Sequence, residues 1–137
     1  MQKLISLLAL FSSLLFSHNI TVQISNVEGQ TGEVLIGLYN KAEGFTLIEK
    51  VYQKGKIENI SNDSMTYIFM NVPQGEYAIS IFHDENSNRK LDKNFFAIPK
   101  EGYGFSNNLR PALRSATFEE SMFEVNEDVN LTISMGY

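Results

Sequence analysis

The chain has 137 residues, with 11 basic and 16 acidic side chains and a formal net charge of −5 at pH 7. Such a surface repels phosphate backbones and anionic lipid, which argues against nucleic acid as a partner and in favour of cations. The absence of cysteine excludes disulfides, thiol nucleophiles and thiolate metal sites.

In chain order, Lys3 gives a positive start and residues 4–16 (LISLLALFSSLLF) are apolar apart from serines. The run is shorter than the roughly 20 residues that cross a bilayer, and polar sequence follows it at once, so residues 1–17 read as a secretory signal peptide cut near Ser17 and His18. The mature chain, residues 18–137, is the size of one domain, keeps ten basic against sixteen acidic side chains, and is expected outside the cytoplasm with no transmembrane span. An exported domain without disulfides rests on its hydrophobic core or on a bound ion.

Beyond the leader the apolar residues recur with period two. Ile20, Val22 and Ile24 alternate with polar residues, as do Val129, Leu131, Ile133 and Met135 near the C-terminus. Residues 34–39, 50–60, 66–72, 77–82 and 117–125 give further strands, separated by turn signals at Glu28-Gly29, Asn62-Asp63, Pro73-Gln74-Gly75 and Asn126-Glu127-Asp128. Residues 42–48 offer at most one helical turn. About seven short strands at this spacing predict an all-β fold, an antiparallel β-sandwich. From residue 84 to residue 115 the alternation stops. This interval carries Phe95, Phe96, Ile98, Tyr103 and Phe105, residues that disordered chains lack, so it reads as one long ordered loop over an end of the sandwich.

The loop opens with HDENSNRKLD, residues 83–92. A hard cation such as Ca2+ takes six to eight oxygens, and alternating acidic and amide side chains deliver them from a short loop. Asp84, Asn86 and Asn88 match the first, third and fifth positions of such a loop, the Lys90 carbonyl the seventh and Asp92 the ninth. Arg89 stands where the sharp turn calls for glycine and Phe95 where a bidentate glutamate closes the site, so further oxygens are needed from Glu101, Asn107 or Asn108. Asp and Asn equally favour turns that bond to their own backbone, and the pattern alone does not separate the two readings.

The second part of the loop, residues 94–108 (NFFAIPKEGYGFSNN), sets aromatic rings among glycines and amides. Tyr103, Phe105 and Asn107 are the candidate ligand contacts, because aromatic faces beside amides suit sugar rings. The competing reading has the aromatics plugging the end of the sandwich, with Gly102 and Gly104 allowing a tight path.

Residues 75–108, GEYAISIFHDENSNRKLDKNFFAIPKEGYGFSNN, resemble the signature of a secreted bacterial family known as domain of unknown function 2141. The resemblance extends more loosely over nearly all of the mature chain. It implies a transthyretin-like or immunoglobulin-like sandwich exported by Gram-negative bacteria, and it supplies no catalytic residue. Members of that family typically read HDENGNGKLD, so Ser87 and Arg89 replace two glycines.

Enzymatic chemistry finds little footing. Asp84, Asp92 and Glu101 supply carboxylates of the kind glycoside cleavage uses, but there is no G-x-S-x-G elbow and no phosphate-cradling motif. His18, if it became the N-terminus, would have to meet His83 in space to hold copper. The expected function is an exported binding or structural module, periplasmic or extracellular, with a Ca2+-stabilised loop at residues 84–92 and an unknown cell-envelope or extracellular ligand. The alternative is a carbohydrate-binding or weak glycoside-hydrolase-like protein using residues 94–108.

Overall fold

A computed structural model describes residues 16–137. The expected leader lies outside the described residues except for Phe16 and Ser17, and Ser17 is the first residue of β1 (Ser17–Ser25). In β1 the alternation does what its period dictates. Ile20, Val22 and Ile24 are fully buried and the residues between them face outward.

β1 is the middle strand of a three-stranded sheet. On one side it pairs antiparallel with β4 (Met65–Pro73), and on the other it runs parallel to β8 (Val129–Ser134). The second sheet has the order β3 (Gln53–Ile57), β2 (Glu33–Tyr39), β5 (Gly75–Asp84) and β6 (Tyr103–Phe105). β7 (Phe123–Val125) pairs with the start of β5, along the same edge that β6 occupies farther on.

The inner faces of the two sheets meet in one core. Ile20, Val22, Ile24, Phe69, Val72 and Ile133 from the first sheet face Val34, Ile36, Leu38, Ile79 and Ile81 from the second. Each such side chain contributes about 1.5–3 kcal/mol of transfer free energy when fully buried. β2 and β5 are buried on both sides at one end, because Tyr39 and Ala78 on their outer faces lie under Phe118, with Phe45, Val51 and Met122 packed around them.

The all-β sandwich expected from the alternation is present, with eight strands among the described residues instead of about seven, and with β1 and β8 parallel. Residues 117–125 depart from the expected strand. Thr117 accepts from the Glu120 amide while the Glu120 carboxylate accepts from the Thr117 amide, and this capping box starts a single helical turn, α1 (Phe118–Ser121). Only β7 remains of the strand. Residues 42–48 form turns, followed by a 3-10 turn at Ile48–Lys50. The long interval after β5 contains β6 and a second 3-10 turn, Ser106–Asn108. Among the described residues no helix is long and apolar enough to cross a membrane.

Candidate functional site

β5 ends at Asp84, which is fully buried although charged. A buried carboxylate needs partners for both oxygens, and the chain turns back to supply them: the Asn88 amide donates to Oδ1 at 3.1 Å and the Arg89 amide to Oδ2 at 2.6 Å. This turn places Ser87 at φ 57° and Arg89 at φ 61°, the left-handed region where a β-carbon is costly and glycine is at ease. The two positions at which the family resemblance leads one to expect glycine are thus the two that adopt a glycine conformation.

The other expected ligands gather beside Asp84. Asn86 Nδ2 donates to Asp92 Oδ2 at 2.6 Å, and Asn88 Nδ2 donates to Asp92 Oδ1 at 2.9 Å. Asn88 Oδ1 accepts the Lys90 amide at 2.9 Å, so Lys90 takes part through its backbone. These amides, Asn88 first, hold the Asp92 carboxyl below its ordinary value.

Sequence reasoning placed Glu101 only among several outside candidates, and the structure gives it a central part. It is buried, its Oε1 accepts the Glu85 amide and its Oε2 the Asp92 amide, each at 3.0 Å. One carboxylate therefore ties the two ends of the loop together. Its position just before the Gly102-Tyr103-Gly104 return to the sheet was the available signal. All six carboxylate oxygens of Asp84, Asp92 and Glu101 face N–H donors. Among the described residues no three His, Cys, Asp or Glu side chains are placed together to hold a metal ion.

Past Asp92 the chain makes a small excursion closed by a bridge between Lys93 and Pro99. Its tip leaves Phe95 96% and Phe96 79% exposed, so these two rings do not plug the sandwich. Of the three candidate ligand contacts, Phe105 is buried and stacks near Phe45, and Asn107 uses its amide to hold the Glu120 and Met122 carbonyls. Tyr103 keeps a half-buried ring, with the Arg110 guanidinium 5.7 Å from its centre. Asn108 completes the open edge of β8 with its side chain, donating to the Thr132 carbonyl at 3.0 Å and accepting the Ser134 amide at 2.8 Å.

His83 is fully buried with both ring nitrogens engaged, Nε2 with the Thr31 carbonyl at 2.7 Å and Nδ1 with the Tyr137 hydroxyl at 2.9 Å. A carbonyl only accepts, so Nε2 carries a hydrogen, and Nδ1 is paired with the Tyr137 hydroxyl. That ring is not free for copper. His18 lies elsewhere, 3.8 Å from Asp128.

The fold and this site define a two-sheet β-sandwich whose central strand runs into a polar loop bonded largely to itself. Residues 22–134 match the family model described as "Uncharacterized protein conserved in bacteria (DUF2141)", and the chain belongs to that family. A comparison with curated proteins gives no match, and neither does one with solved structures.

Proposed function

We propose that the protein is an exported binding or structural module whose loop at residues 84–92 takes up Ca2+, the ion adding stability and no chemistry. The observation that carries this reading is the turn at Asp84. Its carboxylate gathers the amides of the fifth and sixth loop positions, and Arg89 holds the left-handed bend that a calcium loop requires at the sixth. Asn86, Asn88 and Asp92 already lie within hydrogen-bond distance of one another. A half-turn of an asparagine amide exchanges its nitrogen for its oxygen, and this converts donors aimed at Asp92 into ligands for a shared cation. Glu101, arriving from the return to the sheet, supplies the closing carboxylate that the loop itself lacks.

Thermal melts in EDTA and in added Ca2+ test the proposal. A site held at a hundred times its dissociation constant adds about 2.7 kcal/mol, which for a domain of this size is a rise in midpoint of several degrees. Asp92→Asn removes a carboxylate charge and one acceptor for the Asn86 and Asn88 amides and should remove most of the shift, whereas Arg89→Gly, which frees the sharp turn, should enlarge it. Identical midpoints in EDTA and Ca2+ remove the ion from the account. Export is tested separately by N-terminal sequencing of the protein from the periplasmic or culture fraction, where a first residue at or near His18 is expected.

A further inference from the structure

The outer face of the five-stranded sheet is covered over only part of its length. Where Phe45 and Phe118 lie over Tyr39 and Ala78 it is closed. Nearer the loop it opens into a cavity of about 310 Å3 whose floor is formed by Leu35 of β2 and Phe82 of β5, directly paired across the ladder. Ile48 and Val51, from the segment between β2 and β3, supply an apolar wall. The floor and wall are made of side chains that water solvates poorly, and Leu35 and Phe82 remain only half-buried.

The rim carries the opposite chemistry. Lys54 and Lys56 project from β3, and Arg89 enters from the polar loop, so three cations and one carboxylate, Glu33, border one small cavity in a chain with an excess of acidic residues. Lys56 is partly neutralised, 2.6 Å from Glu58 and 3.8 Å from Glu33. Lys54 and Arg89 make no ion pair among the described residues. Arg89 also sits in the left-handed region, a conformation that is costly for a residue with a β-carbon. Strain kept at a residue whose side chain borders a cavity points to use of that side chain.

We propose that this cleft binds a free medium-chain aliphatic carboxylate. The chain of the ligand lies on Leu35 and Phe82 against Ile48, and the carboxylate is received by Lys54 and Arg89. A cavity of about 310 Å3 lies at the small end of the roughly 300–1,000 Å3 range of small-molecule sites, which suits a short aliphatic ligand such as octanoate. The apolar floor gives no purchase to an inorganic anion, and the unpaired cations favour a charged head over a neutral one. Of the residues that line the cleft only Arg89 belongs to residues 84–92, so the apolar floor and Lys54 do not depend on whether the loop takes up Ca2+.

Isothermal titration of the purified protein with octanoate, octan-1-ol and sodium sulfate tests it. Octanoate should bind saturably with one site per chain, octan-1-ol about tenfold or more weaker, and sulfate without measurable heat. Lys54→Gln and Arg89→Gly should each weaken octanoate about five- to tenfold while leaving octan-1-ol unchanged. Leu35→Asn should weaken both. Arg89→Gly relieves backbone strain, so its melting midpoint should not fall, and lost affinity in that variant cannot be assigned to unfolding. The proposal is overturned if octanoate gives no saturable binding at millimolar concentration, if octan-1-ol or sulfate binds as tightly, or if both cation variants bind octanoate like the parent. Association with anionic vesicles that octanoate does not displace also overturns it, by assigning the cationic rim to a membrane surface.

Discussion

The Tyr137 hydroxyl, on the last residue of the chain, stands 2.9 Å from Nδ1 of the fully buried His83 near the end of β5. The same hydroxyl accepts the Glu28 amide at 3.0 Å, and the Tyr137 ring lies against Gly102, where a β-carbon would come within 2.4 Å of it. The C-terminus is thereby fastened to the base of the polar loop. Tyr137→Phe strips a buried imidazole nitrogen of its hydrogen-bond partner and should cost roughly 1–3 kcal/mol. Urea unfolding measures this, and a variant as stable as the parent would mean that water replaces the hydroxyl at no cost.

Gly32 precedes β2 with φ 79°, and a β-carbon there would lie 2.0 Å from the Asp84 carbonyl oxygen. Gly29 has nearly the same φ, 78°, with open space around it. Gly29→Ala should therefore cost only the conformational term of about 1–2 kcal/mol. Gly32→Ala adds a backbone collision at the end of β5 and should cost clearly more, with the amide resonances of residues 84–89 shifted as well. Equal losses for the two variants in chemical denaturation would show that the collision is relieved by movement of the chain.

Glu120 forms a two-pronged pair with Arg114, both contacts at 2.8 Å, while closing the α1 capping box. Arg114 first, then the Thr117 amide, lower its carboxyl from 4.5 to about 2. With the folded value depressed, the contribution is fully present above the unfolded value and is lost as pH falls from about 4.5 through about 2. Glu120→Gln should lower stability near neutrality, converge with the parent in acid, and so flatten that acid limb of the stability profile. An acid limb identical to that of the parent would assign the pH dependence to other carboxylates.

Tyr39 carries the complementary alkaline signature. Burial first, and the nearby Glu49 second, raise its phenol from 10 to about 12. The unfolded chain ionises earlier, so stability should decline as pH rises from about 10 toward 12. Tyr39→Phe should remove part of that decline, and ultraviolet titration of the folded protein should lose its latest-ionising phenol.

Ser87 lies in the left-handed region at φ 57° and is exposed. Ser87→Gly should raise stability by about 0.5–1 kcal/mol, the released strain being offset in part by the greater freedom of glycine in the unfolded chain. A lower denaturation midpoint for this variant would show that the serine side chain makes a contact worth more than the strain.

Sequence alone determined which residues face inward along the strands, because side-chain direction in an extended chain depends only on parity. Ile20, Val22 and Ile24, and later Ile133 and Met135, are buried as their spacing required. It also marked residues 84–92 as a folded polar loop, because the bonds that shape it join residues only a few positions apart. Parity does not name a strand's partner, so the parallel pairing of β1 with β8 was decided only when residues 20–25 and 129–134 met in space. The Thr117–Glu120 capping box carried a helical signal that the apolar alternation of residues 117–125 concealed. Glu101 acts on amides nine and sixteen positions away, and the cleft joins β2, β3 and β5 with Arg89. Such arrangements exist only after the sheets have closed, since each depends on contacts between residues distant in sequence.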